Sequence, residues 1–380
     1  MRRLRVAVVG CGYMGSLHAE KLAQLSQADL IAVVDPLPEA RLRVAARCGA
    51  APLADFRLLF LERLDAVVIA VPTPFHARVA MEFLVRGIHV LVEKPLASSV
   101  DEAGSLVEAA EKAGVILQVG HIERFNPVFE LAASQCESPV FINSVRCGKL
   151  ARRTLATDVV IDLLIHDLDL VLGLSRSPLV DVQAVGWSLF GETIDFAQAW
   201  LRFSGGMVSI CAASRVSAPW ARRMQIFQKD SLLELDFASR RVCLRRKAPE
   251  LSANSDDNFL RQVLASEPPT ADLFDRLLPP EVFEFGEADP LKAELVDFLS
   301  AINDGRQPRV DGYQGLRALA LAEQIKQQIL CQLAEAPAAG QLKAADLATT
   351  PWPAGPHWPL VPSFGTRRQA AGSLPVEKSR

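Results

Sequence analysis

The chain is predicted to fold as an α/β Rossmann domain, a doubly wound parallel sheet, followed by an α+β domain with a large, mainly antiparallel open sheet. Three observations lead there. Up to Gly120, short β-branched runs alternate with longer amphipathic segments, the pattern of a parallel sheet covered by helices on both faces. A glycine-rich turn separates the first run from the first helix. Beyond Gly120 the alternation stops and strand-like runs follow one another.

The first strand lies in "LRVAVVG", with a helix from Tyr13. The basic start "MRRLRV" is read as part of this strand and not as a leader, because glycines interrupt the apolar run from Gly10. Next come "ADLIAVVDP" with a helix from Pro38, "DAVVIAVPT" with a helix from Pro74, "IHVLVEKP" with a helix from Val100, and "VILQVGH". A short helix around Asn126 to Ala133 leads to the run "PVFINSVRCGKL", then to a mostly aliphatic helix, "VVIDLLIHDLDL", from Val159 to Leu170. Later runs pair across Gly205-Gly206 and Lys229-Asp230, which read as hairpin turns. A Pro-rich irregular insertion spans Glu267 to Gly286, and two helices follow, "PLKAELVDFLSAINDG" and "GYQGLRALALAEQIKQQIL". The expected domains are 1–122, binding dinucleotide, and 123–335, binding substrate and assembling oligomers. An Ala- and Pro-rich tail, 336–380, lacks periodicity and is expected to be poorly ordered or laid across a neighbour.

Composition narrows the function. A chain of 380 residues, half of them hydrophobic, has room for two cores. Its net charge of -3 supplies no global basic field, so nucleic acid is not an expected partner and an anionic ligand must be met locally. No run reaches the ~18 apolar residues that span a bilayer, so no membrane is expected either. Seven scattered cysteines without a C-x-x-C pair fit reduced thiols in a cytoplasmic protein.

Gly10, Gly12 and Gly15 form G-x-G-x-x-G between a strand and a helix. The first glycine makes the tight turn, the second lets backbone approach a pyrophosphate, and the third lets helix and strand pack closely. Asp35 ends the next strand about twenty residues later, where a carboxylate receives the ribose hydroxyls. It repels a 2′-phosphate, and Pro36-Leu37 beside it offers no cation, so NAD is the expected cofactor. His18, on the first helix, reads as a packing or capping residue. The fourth strand ends in Glu93-Lys94-Pro95. Ligands of open parallel sheets bind at the carboxyl ends of the strands, which sends Lys94 toward the nicotinamide.

Together the glycine motif with His18, "VPTPFHA" from Val71 to Ala77, "EKP" and the Asp162-x-x-x-His166 of the aliphatic helix resemble the Gfo/Idh/MocA oxidoreductase family. The resemblance covers roughly residues 4 to 332. It implies an NAD(P)-dependent dehydrogenase of sugar or cyclitol hydroxyls that forms a homodimer or homotetramer through the open sheet. It extends the cofactor set to Tyr13, Met14, Pro72, Thr73, His76, Glu93 and Lys94. "GHIERFNPVF" with "TDVVIDLLIHDLDL" resembles the UDP-N-acetylglucosamine 3-dehydrogenase branch, whose 3-keto product goes to a partner aminotransferase on the way to lipid A. Where the family usually has a glycine pair, this chain has Thr157-Asp158.

On a helix Asp162, His166 and Asp169 share one face, a polar stripe on a helix otherwise apolar. A stripe on so apolar a helix points to a cleft. An imidazole with an unperturbed pKa of ~6.5 suits a general acid or base, so His166 and Lys94 are the expected proton carriers, in either assignment. Asp162 then orients His166 or binds a neighbouring hydroxyl, and Asp167 points elsewhere. Lys94, Glu123, Arg124, Asn126, Asp162 and His166 form the expected substrate set. Arg152, Arg153, Arg215, Arg222 and Arg223 are further cations for a diphosphate. One histidine with two carboxylates is thin for zinc, and no metal is expected. The alternatives are another nucleotide sugar, a free sugar or a cyclitol as substrate, and a non-catalytic NAD-binding regulator.

Overall fold

A computed structural model describes residues 2–150, 157–217, 220–248 and 271–335. The tail from 336, Arg152, Arg153 and the first part of the Pro-rich insertion lie outside the described residues. Six parallel strands, β1 (Leu4–Val9), β2 (Ala28–Val34), β3 (Ala51–Leu53), β4 (Ala66–Ile69), β5 (His89–Glu93) and β6 (Leu117–Gly120), lie in the order 3-2-1-4-5-6. This is the doubly wound order, which opens a ligand crevice where β1 and β4 part in direction of winding. Helices α1 (Tyr13–Gln24), α2 (Pro38–Cys48), α3 (His76–Leu84) and α4 (Val100–Ala113) cover the faces. Because both faces are covered, β4 is buried along its whole length.

Two local expectations change. β3 adds a strand to those expected, since three residues at a sheet edge carry no periodic signal. The third helix starts at His76 and not at Pro74, because Thr73–Phe75 form a 3₁₀ turn first.

The second sheet has eight strands. After α5 (Pro127–Gln135) come β7 (Pro139–Cys147), a π-turn (Val160–Leu164) running into α6 (Ile165–Leu174), and β8 (Leu179–Trp187). β9 (Phe196–Phe203), β10 (Val208–Ser214), β11 (Arg222–Gln228), β12 (Ser231–Asp236) and β13 (Arg241–Arg246) follow. α7 (Ala271–Leu277) and β14 (Pro280–Glu284) arise within the region read as irregular, so its described part is ordered into a helix and an edge strand. The strand order is 14-13-12-11-7-10-9-8, antiparallel except for the pair β7 and β10. Gly206, at φ 90°, sits in the β9–β10 hairpin and allows its reversal.

α8 (Pro290–Asp304) and α9 (Gly312–Glu335) complete the described chain. They do not stay with the second sheet. Leu295, Phe298 and Leu299 of α8 pack with Leu4, Val6 and Leu22. Leu319 of α9 lies in the core under β5 and β6, while Ile325 and Ile329 pack with α6 under the second sheet. One helix therefore joins the two cores. Among the described residues no helix is long and apolar enough to cross a membrane.

Candidate active site

The glycine turn has the geometry of a pyrophosphate cradle. Gly10 has φ 101°, and a Cβ there would lie 2.4 Å from the Ala70 carbonyl oxygen. A Cβ at Gly15 would lie 1.8 Å from the Gly10 oxygen. Both positions exclude any larger residue through packing alone. Gly12 differs: a Cβ there meets no protein atom within 4 Å. It is the N-cap of α1, with no side chain capping the first-turn amides. An open approach to free helix amides suits an anionic ligand, so these residues fit the dinucleotide.

Asp35 ends β2 as expected and braces the turn. Its Oδ2 accepts the Cys11 amide at 2.8 Å and its Oδ1 the Leu37 amide at 2.9 Å. A carboxylate has about four lone-pair sites, so each oxygen keeps capacity for a ribose hydroxyl. The cations absent from Pro36-Leu37 come from α2 instead. Arg41 donates to the Asp35 and Pro36 carbonyls at 3.3 and 3.1 Å, and Arg43 reaches the Cys11 carbonyl at 3.5 Å. Tyr13 and Pro72 are exposed at the crevice, with Met14 and Thr73 partly covered.

His76 differs from these exposed residues. It is buried, with Nδ1 2.8 Å from the Pro95 oxygen and Nε2 2.8 Å from the Val71 oxygen. Both ring nitrogens thus face backbone carbonyls and tie the β4 and β5 ends together. Burial holds the imidazole below its usual range despite those carbonyls, so the neutral ring donates to one of them at a time.

At the end of β5, Lys94 Nζ donates to the Asp162 carbonyl oxygen at 2.7 Å and lies 3.7 Å from Asp162 Oδ1. Residues sixty-eight positions apart thus meet between the end of the parallel sheet and the π-turn before α6. Burial lowers the Lys94 ammonium, with Asp162 and Glu93 opposing, and the net position is below the usual lysine range. His166 is partly buried on the first turn of α6. Its Nδ1 is enclosed without a partner, which leaves Nε2 as the available nitrogen. Burial and the cations Lys94 and Arg146 hold His166 well below the ordinary histidine range, so the ring is neutral at physiological pH. A neutral imidazole beside a lysine is equipped to accept a proton.

The π-turn alters the predicted helix. It contains Asp162 and widens the spacing just before His166, a local insertion that often marks functional sites. Thr157-Asp158 anchor it: Asp158 accepts the Asp162 amide through its carbonyl at 2.9 Å and the Ile194 amide through Oδ1 at 2.9 Å. Lys326 of α9 pairs with the same carboxylate at 3.1 Å. The replacement of a glycine pair by Thr-Asp is thus matched by ties to two neighbouring elements.

Three expected substrate residues are engaged inside the protein. Glu123 accepts from Arg146 at 2.7 Å and from Asn126 at 3.0 Å. Asn126 also caps α5 by accepting the Val128 amide at 3.1 Å. Arg124 grips both Asp169 oxygens, at 2.7 and 3.0 Å, and packs against Gly173. Arg124 thereby ties the segment after β6 to α6, and Glu123 ties it to β7. Of the other cations, Arg215 is buried against Asp195 at 2.5 Å and Arg223 pairs with Asp236 at 3.1 Å. Arg222 has no ion pair among the described residues, and its charge reaches His166. It flanks Trp220, as does Lys149 at 4.5 Å from the ring.

Sequence reasoning missed Arg146. It is buried on β7, bonded to Asp167 at 2.7 Å and to Glu123 at 2.7 Å. The available signal was its phase, two and four residues from the inward-facing Ser144 and Ile142. His121 was passed over as well; it follows β6, is buried, and has neither ring nitrogen partnered.

Comparison with known proteins bears on this geometry. Residues 4–121 match the model of an oxidoreductase family with an NAD-binding Rossmann fold, and residues 146–232 match the GFO/IDH/MocA C-terminal domain. The chain belongs to the Gfo/Idh/MocA family. It is an NAD-binding dehydrogenase by that membership, and the second Gfo/Idh/MocA match contains Arg146, Asp162 and His166. A UDP-N-acetylglucosamine 3-dehydrogenase of Acidithiobacillus ferrooxidans is 35% identical over 86% of this chain and 97% of its own length. The solved structure of that organism's GnnA, of the same name, superposes with TM-score 0.78 at 32% identity, covering 88% of this chain and 99% of that one. A scyllo-inositol 2-dehydrogenase (NAD(+)) of Bacillus subtilis is 28% identical over 57% of this chain and 68% of its own.

Proposed function

We propose that this chain oxidises C3 of UDP-N-acetylglucosamine to the 3-keto nucleotide sugar with NAD. The contact of Lys94 with Asp162 at the carboxyl end of the parallel sheet, four residues before a neutral His166 that feels the Lys94 charge, carries the reading. A pure NAD sensor has no need of a neutral histidine and a lysine poised over one place. NAD, when bound, supplies the nicotinamide that accepts the hydride. Gly12 and the α1 amides hold its pyrophosphate and Asp35 its ribose. His166 takes the hydroxyl proton at Nε2, while the Lys94 ammonium donates a hydrogen bond to the same oxygen and stabilises its developing charge. The Asp162 carbonyl and carboxylate keep that ammonium in place.

Identity of 35% along nearly the full length of a UDP-N-acetylglucosamine 3-dehydrogenase supports the substrate, against 25% over a similar length for an inositol 2-dehydrogenase. Arg222 and Lys149, beside Trp220, are suited to the diphosphate, in place of Arg124. A 3-keto sugar is the substrate type of an aminotransferase, which fits a cytoplasmic route to a 3-amino sugar of lipid A. The open face of the eight-stranded sheet is the proposed contact of a homodimer or homotetramer.

The test is NADH formation from a panel of UDP sugars, free sugars and inositols, with an aminotransferase present to draw off the ketone. UDP-N-acetylglucosamine is expected to respond. A response from inositol or glucose alone refutes the substrate, and none from any compound refutes the enzyme reading.

A further inference from the structure

The segment that leads into the π-turn is held from several sides. Asp158 Oδ1 accepts the Ile194 amide and the Ile194 carbonyl accepts the Val159 amide, both at 2.9 Å. Arg215, just past β10, donates to the Thr157 carbonyl at 2.6 Å. Lys326 of α9 completes the hold by meeting Asp158 Oδ2 at 3.1 Å. The two side chains are only 13 and 27% exposed, so this pair is screened less than one on the open surface.

Asp158 hands the anchorage on to the active site. Its carbonyl accepts the Ile161 and Asp162 amides at 3.1 and 2.9 Å, and the Asp162 carbonyl accepts Lys94 Nζ at 2.7 Å. α9 closes the path from the other direction. A Cβ on Gly315 would lie 2.4 Å from Val119 Cγ2, so the start of α9 is seated directly on β6. β6 pairs with β5 through Val119 and Val92, two residues before Lys94. Nearer its end, α9 is seated on β8: Gln328 donates to the Val182 carbonyl at 2.9 Å, and a Cβ on Gly186 would lie 2.4 Å from Ile329 Cγ2. Lys326 stands between these two seats. Contacts therefore run in a closed ring from Lys94 through β5, β6, α9, Asp158 and Asp162 back to Lys94.

We propose that Asp158 and Lys326 are positioning residues of the active site, an ion pair that clamps the π-turn so that the Asp162 carbonyl meets the Lys94 ammonium. The inference rests on the role proposed for Lys94. An ammonium that stabilises a developing charge must stand where that charge forms, and a misplacement of about 1 Å can cost about 10²-fold in rate. A glycine pair in place of Thr157-Asp158 has no side chain with which to make such a clamp.

Lys326→Met keeps the aliphatic stem and removes the charge. Asp158→Asn keeps an acceptor for the Ile194 amide and removes the anion. In the full-length protein, assayed well below Tm, each is expected to lower kcat with UDP-N-acetylglucosamine about tenfold or more, with NAD affinity within about twofold. The double variant is expected to lose no more than either single one, since both changes break the same pair, and Lys326→Arg is expected to keep most of the rate. A brace that serves stability alone lowers Tm and leaves kcat of the folded protein unchanged. That outcome overturns the proposal, as do losses that multiply in the double variant or a K326R as slow as K326M. Should D158N not fold, K326M against K326R decides. If the wild type oxidises no substrate, the functional reading falls, and the rate at which acetic anhydride labels Lys94, read by peptide mass, decides on the clamp: severalfold faster labelling in K326M supports it, and equal rates overturn it.

Discussion

The three aspartates between Asp162 and Asp169 each meet a different cation: Lys94 at 3.7 Å, Arg146 at 2.7 Å and Arg124 at 2.7 Å. A buried carboxylate must be paired, because desolvation costs several kcal/mol per ion, and removing one partner costs about 3–5 kcal/mol. Two pairs are buried, and their work is to fix α6 against β7 and the turn after β6. The Lys94 pair is part-exposed and faces the cleft. That difference sets the proposed catalytic pair apart from the two that brace the fold. Lys94→Ala and His166→Ala are expected to reduce kcat by about 10² to 10⁴ while NAD affinity changes little. Single-turnover NADH formation alongside an NAD titration checks this, and unchanged turnover removes the residue from the mechanism. Asp162 and His166 were legible because helical spacing is a local property. The ties of Glu123 and Arg124 were not, since their partners Arg146 and Asp169 lie more than twenty residues away.

At the scale of elements, the glycine turn separates two kinds of constraint. Gly10→Ala places a Cβ 2.4 Å from a carbonyl oxygen at positive φ, so it is expected to lower Tm. Gly12→Ala meets no protein atom within 4 Å, so Tm is expected to hold while NAD affinity falls roughly tenfold, or about 1.4 kcal/mol. Thermal melts of the two variants with and without NAD distinguish them. If Gly12→Ala binds NAD normally, the open approach is not the cradle. The π-turn shows a limit of periodicity. The turn is flanked by Asp158, tied to Ile194 and Lys326, contacts that a helical wheel does not contain.

For the whole molecule, pH is the sensitive variable. Burial holds His76, His89, His121 and His166 below their ordinary range. Each is neutral when folded and binds a proton when unfolded below pH ~6.5, so its contribution is present above that pH and lost as pH falls through the folded value. Asp167 and Glu294, raised by burial, act in the opposite sense. Four groups against two, stability is expected to fall between about pH 6.5 and 5. Denaturant midpoints across that range check it, and a rising or flat midpoint contradicts the assignment of neutral histidines.

From sequence alone the Rossmann fold, the mainly antiparallel second sheet, the glycine turn, Asp35, Lys94, Asp162 and His166 could all be located. Each rests on a spacing of a few residues or on alternation within a segment, which the chain carries wherever it folds. Tertiary structure alone decided that His76, Glu123, Arg124 and Asn126 are engaged internally, that α2 brings Arg41 and Arg43 to the Asp35 loop, and that a buried Arg146 pairs with Asp167 beside His166. Those outcomes depend on which distant groups share one desolvated space, and pairing across long loops leaves no local period in a sequence.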